Sequence, residues 1–545
     1  MKLLVIGSFL ASIVSTPWIS SDALVIPKII AITCLAAILI PSFKIHFKVS
    51  LQNKILRYLF IISLVFISHM IIVMLSSKAP FEQEFFGMTG RGLGFLTYTS
   101  LLVIMLFVAI NINLSDLKVI IISLMASCLL SSIYSILQFY GIDFSDWRTT
   151  TNGILGTIGN PNFQSTFIAM SFVPSIILIN SYKYKFLPIT VVSVVYMFSL
   201  YLCNSTQGYI SLAASIFAFA MINFWYKSRK LFSFTLIVFA ILSVSTLLGM
   251  LNKGPLAYYL YKISIRSRGE MWDTALNIIR DNPIFGIGLD SLGDYELRYR
   301  SLSTVNGIGE YIDNAHNFYL QFAATGGLVL AISYIFILLY SLKNFLSMQR
   351  TLGQFNPQLT SIFASWIAFQ FQSVISPAAI TTLIWNFIFC GAFIGLNSRL
   401  ISSNSLNSAS TNQFKEIPRK NILSLSSFVL FLVALFITFP LFNADKAARK
   451  ADTRKDAKLA VEASKMYPES IIRYNRLGSD LFRAGLLDLS LDVGRSAVKF
   501  NPNAYQTWIL ILVNSSAPIE ERLIAKNNLM RIDPNNKLIS DYVIQ

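Results

Sequence analysis

The sequence predicts an all-α, polytopic membrane protein with about twelve or thirteen transmembrane helices, a large external loop and a C-terminal soluble helical-repeat domain. Only 13% of the residues are charged, against about 25% in soluble domains. The chain holds 44 Lys and Arg and 27 Asp and Glu, and 28 of these 71 charged residues lie in 442–545. We therefore expect a membrane domain over 1–441 and a polar domain over 442–545.

Apolar runs indicate where the chain crosses the membrane, because a helix needs about 20 apolar residues to span the bilayer core. Thirteen such runs occur, near 2–18, 27–42, 56–75, 94–112, 119–139, 163–180, 186–203, 208–224, 231–251, 317–342, 359–376, 378–397 and 421–441. The first run could alternatively be a signal peptide, since Lys2 precedes an apolar stretch that ends in small residues.

The basic residues of the short loops predict the orientation. With the N-terminus inside, the inner loops carry 16 Lys and Arg, and the outer loops and span ends carry four. Such an excess is typical of the cytoplasmic side. It places the loop 252–316 and the tail 442–545 outside, and it explains the net charge of +17 without nucleic-acid binding.

Three similar endings in the tail place Pro468, Pro502 and Pro534 at spacings of 34 and 32 residues. This period resembles that of tetratricopeptide repeats, in which each helix pair buries its apolar face on the next. The sequence leaves three roles open for this domain: binding a protein partner, bracing the long loop, or capping the fold.

Several kinds of chemistry find no motif in the sequence. The four cysteines lie in apolar runs without paired spacing, which predicts packing between helices and neither disulfides nor zinc. GxxxxGK[ST], HExxH, CxxC and DxD motifs are missing, so we expect no metal and no cofactor. His69 is the notable ionisable residue in a predicted span. Two roles are open for it: hydrogen-bonded packing between helices, or a proton relay.

The long loop opens with RSRGEMWDTALNIIRDNPIFGIG. Trp272, Ala275, Leu276 and Ile279 follow helical spacing and predict one apolar face of an amphipathic helix. The DNP turn and the two glycines after it are expected to end this helix.

Arg266 and Arg268 lie at the expected start of that helix. Free backbone N–H groups and the positive end of the helix dipole favour an anion there. Two guanidiniums add charge and planar donors, which suits phosphate or diphosphate. Contact with lipid headgroups or simple solvation is the alternative.

The loop closes with YIDNAHNFYLQF, which places His316 and Asn317 at the outer membrane surface. The imidazole of His316 could accept a proton or donate to a phosphate oxygen, or it could be structural. Two further outer segments add candidates: Arg91 in FFGMTGRGLG, and Asn160 and Asn162 in GTIGNPNFQSTF. The asparagines predict either a simple turn or contacts with hydroxyl and phosphate groups.

The segments RGEMW, NPIFGIG and AHNFYLQ, with GNPN, YSILQFYGID and QSVISPAAITTLIW, occur in this order over roughly 80–400. Together with the late long loop, this set resembles the O-antigen ligase and polymerase superfamily. The family's outer arginines and loop histidine match Arg91, Arg268 and His316. Where relatives often carry an Arg and an acidic residue, this chain has Gln207 and Thr325.

The resemblance implies a metal-independent transferase in a bacterial cytoplasmic membrane. It would move a glycan from undecaprenyl diphosphate to a hydroxyl of a glycolipid, a protein or the growing glycan, on the external or periplasmic face. Arg268 and His316 would act in catalysis. Contacts with diphosphate or glycan would come from a larger set: Arg266, Arg91, Asn160, Asn162, Asn317 and Trp272.

Two other functions stay open at this point. A transporter or flippase of a lipid-linked polysaccharide is expected to show internal repeats or broken helices with polar groups at the midplane, and the sequence indicates neither. A membrane-anchored scaffold would leave the arginines and the histidine of the long loop without a role. Because a fold alone does not establish function, the transferase prediction depends on the outer Arg and His residues.

Overall fold

The computed structural model describes residues 1–43, 52–143, 145, 154–261, 263–300, 312–406 and 424–544, and every regular element in these ranges is helical. The all-α prediction is thereby confirmed. The membrane part contains α1 (Lys2–Ile13), α2 (Val25–Leu39), α3 (Lys54–Ser76), α4 (Phe81–Phe86), α5 (Phe95–Asn111), α6 (Asp116–Phe139), α7 (Pro161–Asn180), α8 (Phe186–Leu202), α9 (Thr206–Lys227) and α10 (Arg229–Met250). The long loop contributes α11 (Ala257–Leu260), α12 (Ile263–Asp281) and α13 (Glu296–Tyr299), and α14 (Phe318–Leu352), α15 (Pro357–Ile375), α16 (Ile380–Leu406) and α17 (Leu425–Arg454) follow.

Each of the thirteen apolar runs coincides with a helix. Among the described residues, nine helices are long and apolar enough to cross a membrane. Three shorter apolar helices, α1, α5 and α8, correspond to further runs, and α15 corresponds to the run near 359–376. The last span differs from the prediction at its end: α17 continues without interruption to Arg454, so the expected boundary at 441/442 lies inside one helix.

The contacts between chain turns fit the predicted alternation of the helix directions. Loops predicted to be external meet one another, as where Gly90 N–H donates to Asp22 Oδ2 and Ser205 Oγ donates to Asn162 Oδ1. Loops predicted to be cytoplasmic meet at the other end, where Tyr226 Oη donates to the carbonyl oxygen of Gln349. The two sets of loops therefore lie at opposite ends of the bundle.

The apolar helices differ in their exposure. The spanning segment of α16 is buried along its entire length, whereas α10 and the apolar part of α17 are largely exposed. This is expected for a bundle whose outer helices face lipid. The first helix packs within the bundle, because Trp385 Nε1 donates to Ser12 Oγ at 3.0 Å. All four cysteines are buried and free, as their apolar surroundings predict.

The tail folds into short helices that alternate with turns. These are α18 (Ala457–Ser464), α19 (Ile471–Arg483), α20 (Leu487–Phe500), α21 (Tyr505–Val513), α22 (Ile519–Ile532) and α23 (Lys537–Ser540). Pro468, Pro502 and Pro534 each lie in the turn that precedes a helix. The relationship to tetratricopeptide repeats stays a prediction.

The tail is docked on loops that were predicted to be external. Leu297 of the long loop belongs to the same buried apolar cluster as Leu491 and Trp508 of the tail. Beside it, Arg300 Nη2 and Asp533 Oδ2 form a buried ion pair at 2.7 Å. The tail and the long loop therefore lie at the same end of the bundle, and the structure shows the bracing contacts that the sequence left open.

Candidate functional site

His316 lies in a tight turn between the long loop and α14. Its backbone is left-handed, with φ 45°, and its N–H donates to Asn314 Oδ1 at 2.9 Å. Asn317 then caps α14, since its Oδ1 accepts from the N–H groups of Tyr319 and Leu320. The Asn317 side chain, predicted as a substrate contact, thus has a structural role in this turn.

An ion pair fixes the residues just before His316. Arg91 Nε and Nη2 donate to the two carboxylate oxygens of Asp313 at 3.0 and 2.9 Å. Burial alone would raise the pKa of Asp313, but the Arg91 guanidinium and the Asn314 amide hold the pKa below its usual value. Arg91, predicted to bind diphosphate, therefore has a carboxylate partner already and connects its own loop to that of His316.

Arg268 is the cation of this region with spare hydrogen-bonding capacity. It is half-buried, and it forms no hydrogen bond or ion pair with another residue of the described ranges. Burial lowers its pKa from the usual range. A half-buried guanidinium without a counter-ion is a strong candidate for binding an anionic group.

The start of α12 differs from the sequence prediction. The helix begins at Ile263, so Arg268 is its sixth residue and lies one turn beyond the free N–H groups. The predicted help from the helix N-terminus therefore does not apply to Arg268, because those groups belong to the first turn. The side chain of Arg266 lies outside the described residues, and its predicted role stays a prediction.

The buried face of α12 is also displaced from the predicted one. Ala275 and Ile278 are fully buried, whereas Leu276 is 52% exposed. Trp272 is half-buried, and its Nε1 is shielded from solvent without an acceptor among the described residues. The helix thus packs through a face that is shifted from the predicted one. Trp272 lies one turn after Arg268, and its Nε1 donor is not used among the described residues.

The electrostatic surroundings of His316 favour its neutral form. Burial, together with the positive charges of Arg268 and Arg91, lowers the pKa of His316 to about 4, against the opposing effect of Asp313. Its Nδ1 is buried and has no hydrogen-bond partner in the part of the chain that the structure describes. At neutral pH the imidazole is therefore uncharged and able to accept or donate one hydrogen bond.

Asn160 and Asn162 lie at the start of α7. Asn160 Oδ1 accepts from the N–H of Asn162 at 2.8 Å and caps the helix. Asn162 Oδ1 accepts from Ser205 Oγ at 2.8 Å. Both side chains thus have the turn role that was one of the two predictions, and their predicted contact with substrate stays untested.

The long helix α14 contains a break that the sequence analysis did not predict. Gly327 has φ 76° and ψ 171° inside a 35-residue helix, and the NPIFGIG segment pairs with the backbone groups that the break releases. Ile287 N–H donates to Ala324 O at 3.1 Å, Gly288 N–H to Thr325 O at 3.0 Å, and Leu328 N–H to Pro283 O at 2.8 Å. The adjacent glycines Gly326 and Gly327 were the available signal.

His69 completes the pairing at this break. Its Nε2 lies 2.8 Å from Gly326 O, and because a carbonyl oxygen only accepts, the imidazole donates. The ring also stacks on Phe285 with the centroids 6.1 Å apart. These contacts support packing as the role of His69.

Gln207 and Thr325, the two positions at which this chain departs from the pattern of its relatives, have contrasting surroundings. Gln207 is 4% exposed, and neither polar atom of its amide has a partner within the described ranges. Thr325 lines a small cavity that Asp290 and Tyr98 also line. A carboxylate therefore lies beside Thr325, although it comes from a different segment of the chain.

Possible metal ligands are not clustered at this site: in the ranges that the structure describes, no three His, Cys, Asp or Glu side chains are grouped as metal ligands would be. Among the described side chains of this region, Arg268, the Nε1 of Trp272 and His316 could bind an anion.

The comparisons with known proteins bear on the region just described. The chain matches none of the curated proteins. The family model described as O-antigen ligase matches residues 165–335, a range that includes Arg268, Trp272 and His316 and begins after Arg91, Asn160 and Asn162. The central part of this membrane protein is therefore similar to O-antigen ligases, which supports a membrane glycan ligase or polymerase type of function.

Proposed function

We propose that this protein transfers a glycan from an undecaprenyl-diphosphate carrier to an acceptor hydroxyl. The reaction takes place at the end of the bundle where the long loop and the tail meet. In this proposal the chain is a multi-pass protein of a bacterial cytoplasmic membrane, and that end faces the periplasm or the exterior.

The observation that carries the proposal is that Arg268 lies near enough to His316 for its charge to act on the imidazole. Arg268 offers a half-buried guanidinium that has no counter-ion among the described residues, and His316 offers a neutral imidazole within its electrostatic influence. A diphosphate provides the anion for the first group, because guanidinium donors match phosphate oxygens. An acceptor hydroxyl provides the proton that the His316 imidazole accepts.

The reaction uses these two groups in different ways. The acceptor oxygen attacks the anomeric carbon, and the bond from that carbon to the diphosphate oxygen breaks with its electron pair on the leaving group. Arg268 offsets the growing negative charge. His316 accepts the proton that the hydroxyl releases, which its neutral state at pH 7 allows. The membrane-anchored donor reaches the site by lateral diffusion, so orientation accounts for much of the remaining task.

The paired residues supply the framework in this proposal. Arg91 has its Nε and one terminal nitrogen bound to Asp313, so it orients the His316 turn and adds positive charge. The acceptor is a glycolipid, a protein or the growing glycan, and its choice belongs to surfaces outside this pair. The tail braces the long loop through Arg300 and Asp533, and its exposed helices leave room for a protein partner.

A second candidate function is transport of the lipid-linked polymer, because broken helices are typical of transporters and α14 is broken at Gly327. At this break, however, backbone groups of the NPIFGIG segment and His69 satisfy the released carbonyl groups. These carbonyl groups are therefore paired within the protein. This supports a structural break, and the transferase stays the first candidate.

The test is the release of undecaprenyl diphosphate from a lipid-linked oligosaccharide by the purified full-length chain in nanodiscs. Each candidate acceptor is offered to the wild type and to His316→Ala. Arg280→Ala serves as a matched control, because Arg280 lies on the same helix α12 but is exposed and paired with Asp281. Release by the wild type and the control, but not by His316→Ala, supports the transferase. Donor binding without release for every acceptor would favour transport.

A further inference from the structure

Asp290 holds the glycine-rich turn that carries Arg91. Its Oδ2 accepts from Met88 N–H at 2.8 Å and from Leu93 N–H at 3.3 Å. These two amides lie on either side of Arg91 in the sequence. One carboxylate oxygen thus joins the two ends of the turn.

The turn depends on contacts from outside itself. Gly87, Gly90 and Gly92 have φ of 88°, 86° and 64°. Glycine adopts such positive φ angles readily because it has no Cβ atom. The amides of Arg91 and Gly92 bond to Met88 O inside the turn, whereas those of Met88 and Leu93 use Asp290. Both Met88 and Leu93 are buried, and a buried amide without an acceptor is strongly destabilising.

Asp290 is itself held from two sides. Leu289 N–H donates to Glu84 Oε1 and Gly288 N–H donates to Thr325 O, each at 3.0 Å. The Asp290 backbone is left-handed, with φ 56°, and the residue is 8% exposed. The carboxylate is therefore fixed relative to the broken helix α14 and is not presented to a substrate.

We propose that Asp290 is a positioning residue that fixes the Arg91 turn, so that Arg91 meets Asp313 and holds the turn of His316. The chain of contacts runs from the backbone of α14 through Asp290 to the Arg91 turn, and through the Arg91–Asp313 ion pair to residues 313–317. The expected effect of Asp290 on transfer rests on the proposed function. The role of Asp290 in holding the Arg91 turn is independent of that function.

The charged and titratable groups that influence Asp290 are Arg91, Asp313, Asp294 and Tyr98. Burial raises the pKa of Asp290 to about 6, while its two backbone hydrogen bonds and Arg91 oppose this rise. At pH 7.5 the carboxylate is therefore ionised, and its bonds to the two amides are charge-assisted. All measurements below are made at that pH.

The experiment compares Asp290→Ala, Asp290→Asn and Asp294→Asn in the full-length chain in nanodiscs. Asp294 is the matched control, because it is a buried carboxylate on the same loop whose partners are Gln83 and Asn501 and not the Arg91 turn. Hydrogen exchange is followed in the segments 86–94 and 312–322. Undecaprenyl diphosphate release is measured in parallel.

We expect Asp290→Ala to speed exchange in both segments by roughly 10-fold or more, as the loss of charge-assisted hydrogen bonds predicts. The kcat for transfer should fall by a similar factor, with a smaller change in KM. Asp290→Asn keeps one carbonyl oxygen as acceptor and should recover part of both properties. Asp294→Asn should leave exchange in both segments as in the wild type.

Each outcome decides one part of the inference. Unchanged exchange in 312–322 for a folded Asp290→Ala or Asp290→Asn overturns the positioning role. Faster exchange in both segments with wild-type transfer limits Asp290 to structure and overturns its functional part. If the wild type itself releases no undecaprenyl diphosphate, the proposed function fails, while the exchange data still decide whether Asp290 positions the His316 turn.

Discussion

Two outer turns of this protein begin a helix in the same way and differ in what they leave unpaired. Asn317 caps α14 and Asn160 caps α7, each through its Oδ1. Next to Asn160, Asn162 Oδ1 is occupied by Ser205 Oγ. Next to Asn317, the Nδ1 of His316 has no partner among the described residues.

This difference separates the side-chain oxygen of Asn162, which is paired within the protein, from the Nδ1 of His316, which a ligand can pair. Buried polar groups are usually paired, so an unpaired one requires an explanation. Within the described residues, Trp272 Nε1 is likewise buried without an acceptor, and the half-buried guanidinium of Arg268 has no partner there. Residues of similar polarity thus have different expected roles.

The largest effect is expected for Arg268→Ala. Loss of the guanidinium removes the group that offsets the charge of the leaving diphosphate, and we expect transfer to fall by about 10²–10³-fold. Undecaprenyl diphosphate release by equal amounts of inserted protein measures this. Arg280→Ala on the same helix should keep wild-type turnover, and wild-type turnover in Arg268→Ala would remove Arg268 from the site.

His316→Ala should lower kcat/KM by about 10²-fold, the usual effect of losing a general base. His316→Gln keeps a hydrogen-bond donor of similar reach but accepts no proton. If His316 takes the proton, Gln should be as inactive as Ala. Recovery of activity in His316→Gln would instead show that the imidazole acts as a hydrogen-bond donor to phosphate.

Asp290→Asn removes the carboxyl group whose pKa of about 6 would also affect wild-type transfer, so the pH profile is measured in this variant. Its kcat/KM, which reports the free enzyme, should be flat from pH 8 to pH 6, within about twofold, and should fall as pH approaches the His316 pKa of about 4. A decline centred near 6.5 would contradict the neutral, buried imidazole. The same lowered pKa has a consequence for stability. Between pH 6.5 and 4 the unfolded chain binds more protons at this residue, so its contribution to stability decreases as pH falls through that window.

Asn160→Ala should have the smallest effect on transfer, less than about threefold, because its Oδ1 serves the helix cap. The loss should instead lower the stability of the protein by about 1 kcal/mol. Thermal unfolding in detergent measures this, with Asn160→Ser as the control that restores a capping oxygen. A large loss of transfer in a stable Asn160→Ala protein would place Asn160 in the binding site and weaken the contrast between the two turns.

Much of the fold could be predicted from the sequence because membrane helices are encoded locally. All thirteen apolar runs are helices, and the contacts between loops match the predicted alternation. Arg91, Arg268 and His316 were identified as charged or titratable residues in outer segments. The first turn of α12 was placed too late, because the segment YLYK before Ile263 has no Ser, Thr, Asp or Asn that marks the start.

Other features depend on pairs of residues that are distant in the sequence. The break in α14 arises where the NPIFGIG segment supplies hydrogen bonds to it, and Gly326–Gly327 alone does not specify such a partner. Asp313 and Asp290 were missed for the same reason, since an acidic residue in a polar loop has no local mark of its role. Their partners, Arg91 and the turn around it, are about 200 residues away.

The sequence by itself determined that this chain is a helical membrane protein whose charged residues lie mainly in its loops and its C-terminal tail. Apolar length and charge distribution can be read residue by residue. Only the tertiary structure decided which of those groups are used internally and which are free. Hydrogen bonds and ion pairs form between side chains that folding brings together, so Arg91 became a structural partner of Asp313 while Arg268 kept its donors. That distinction defines the site, and it depends on burial and geometry that no single segment contains.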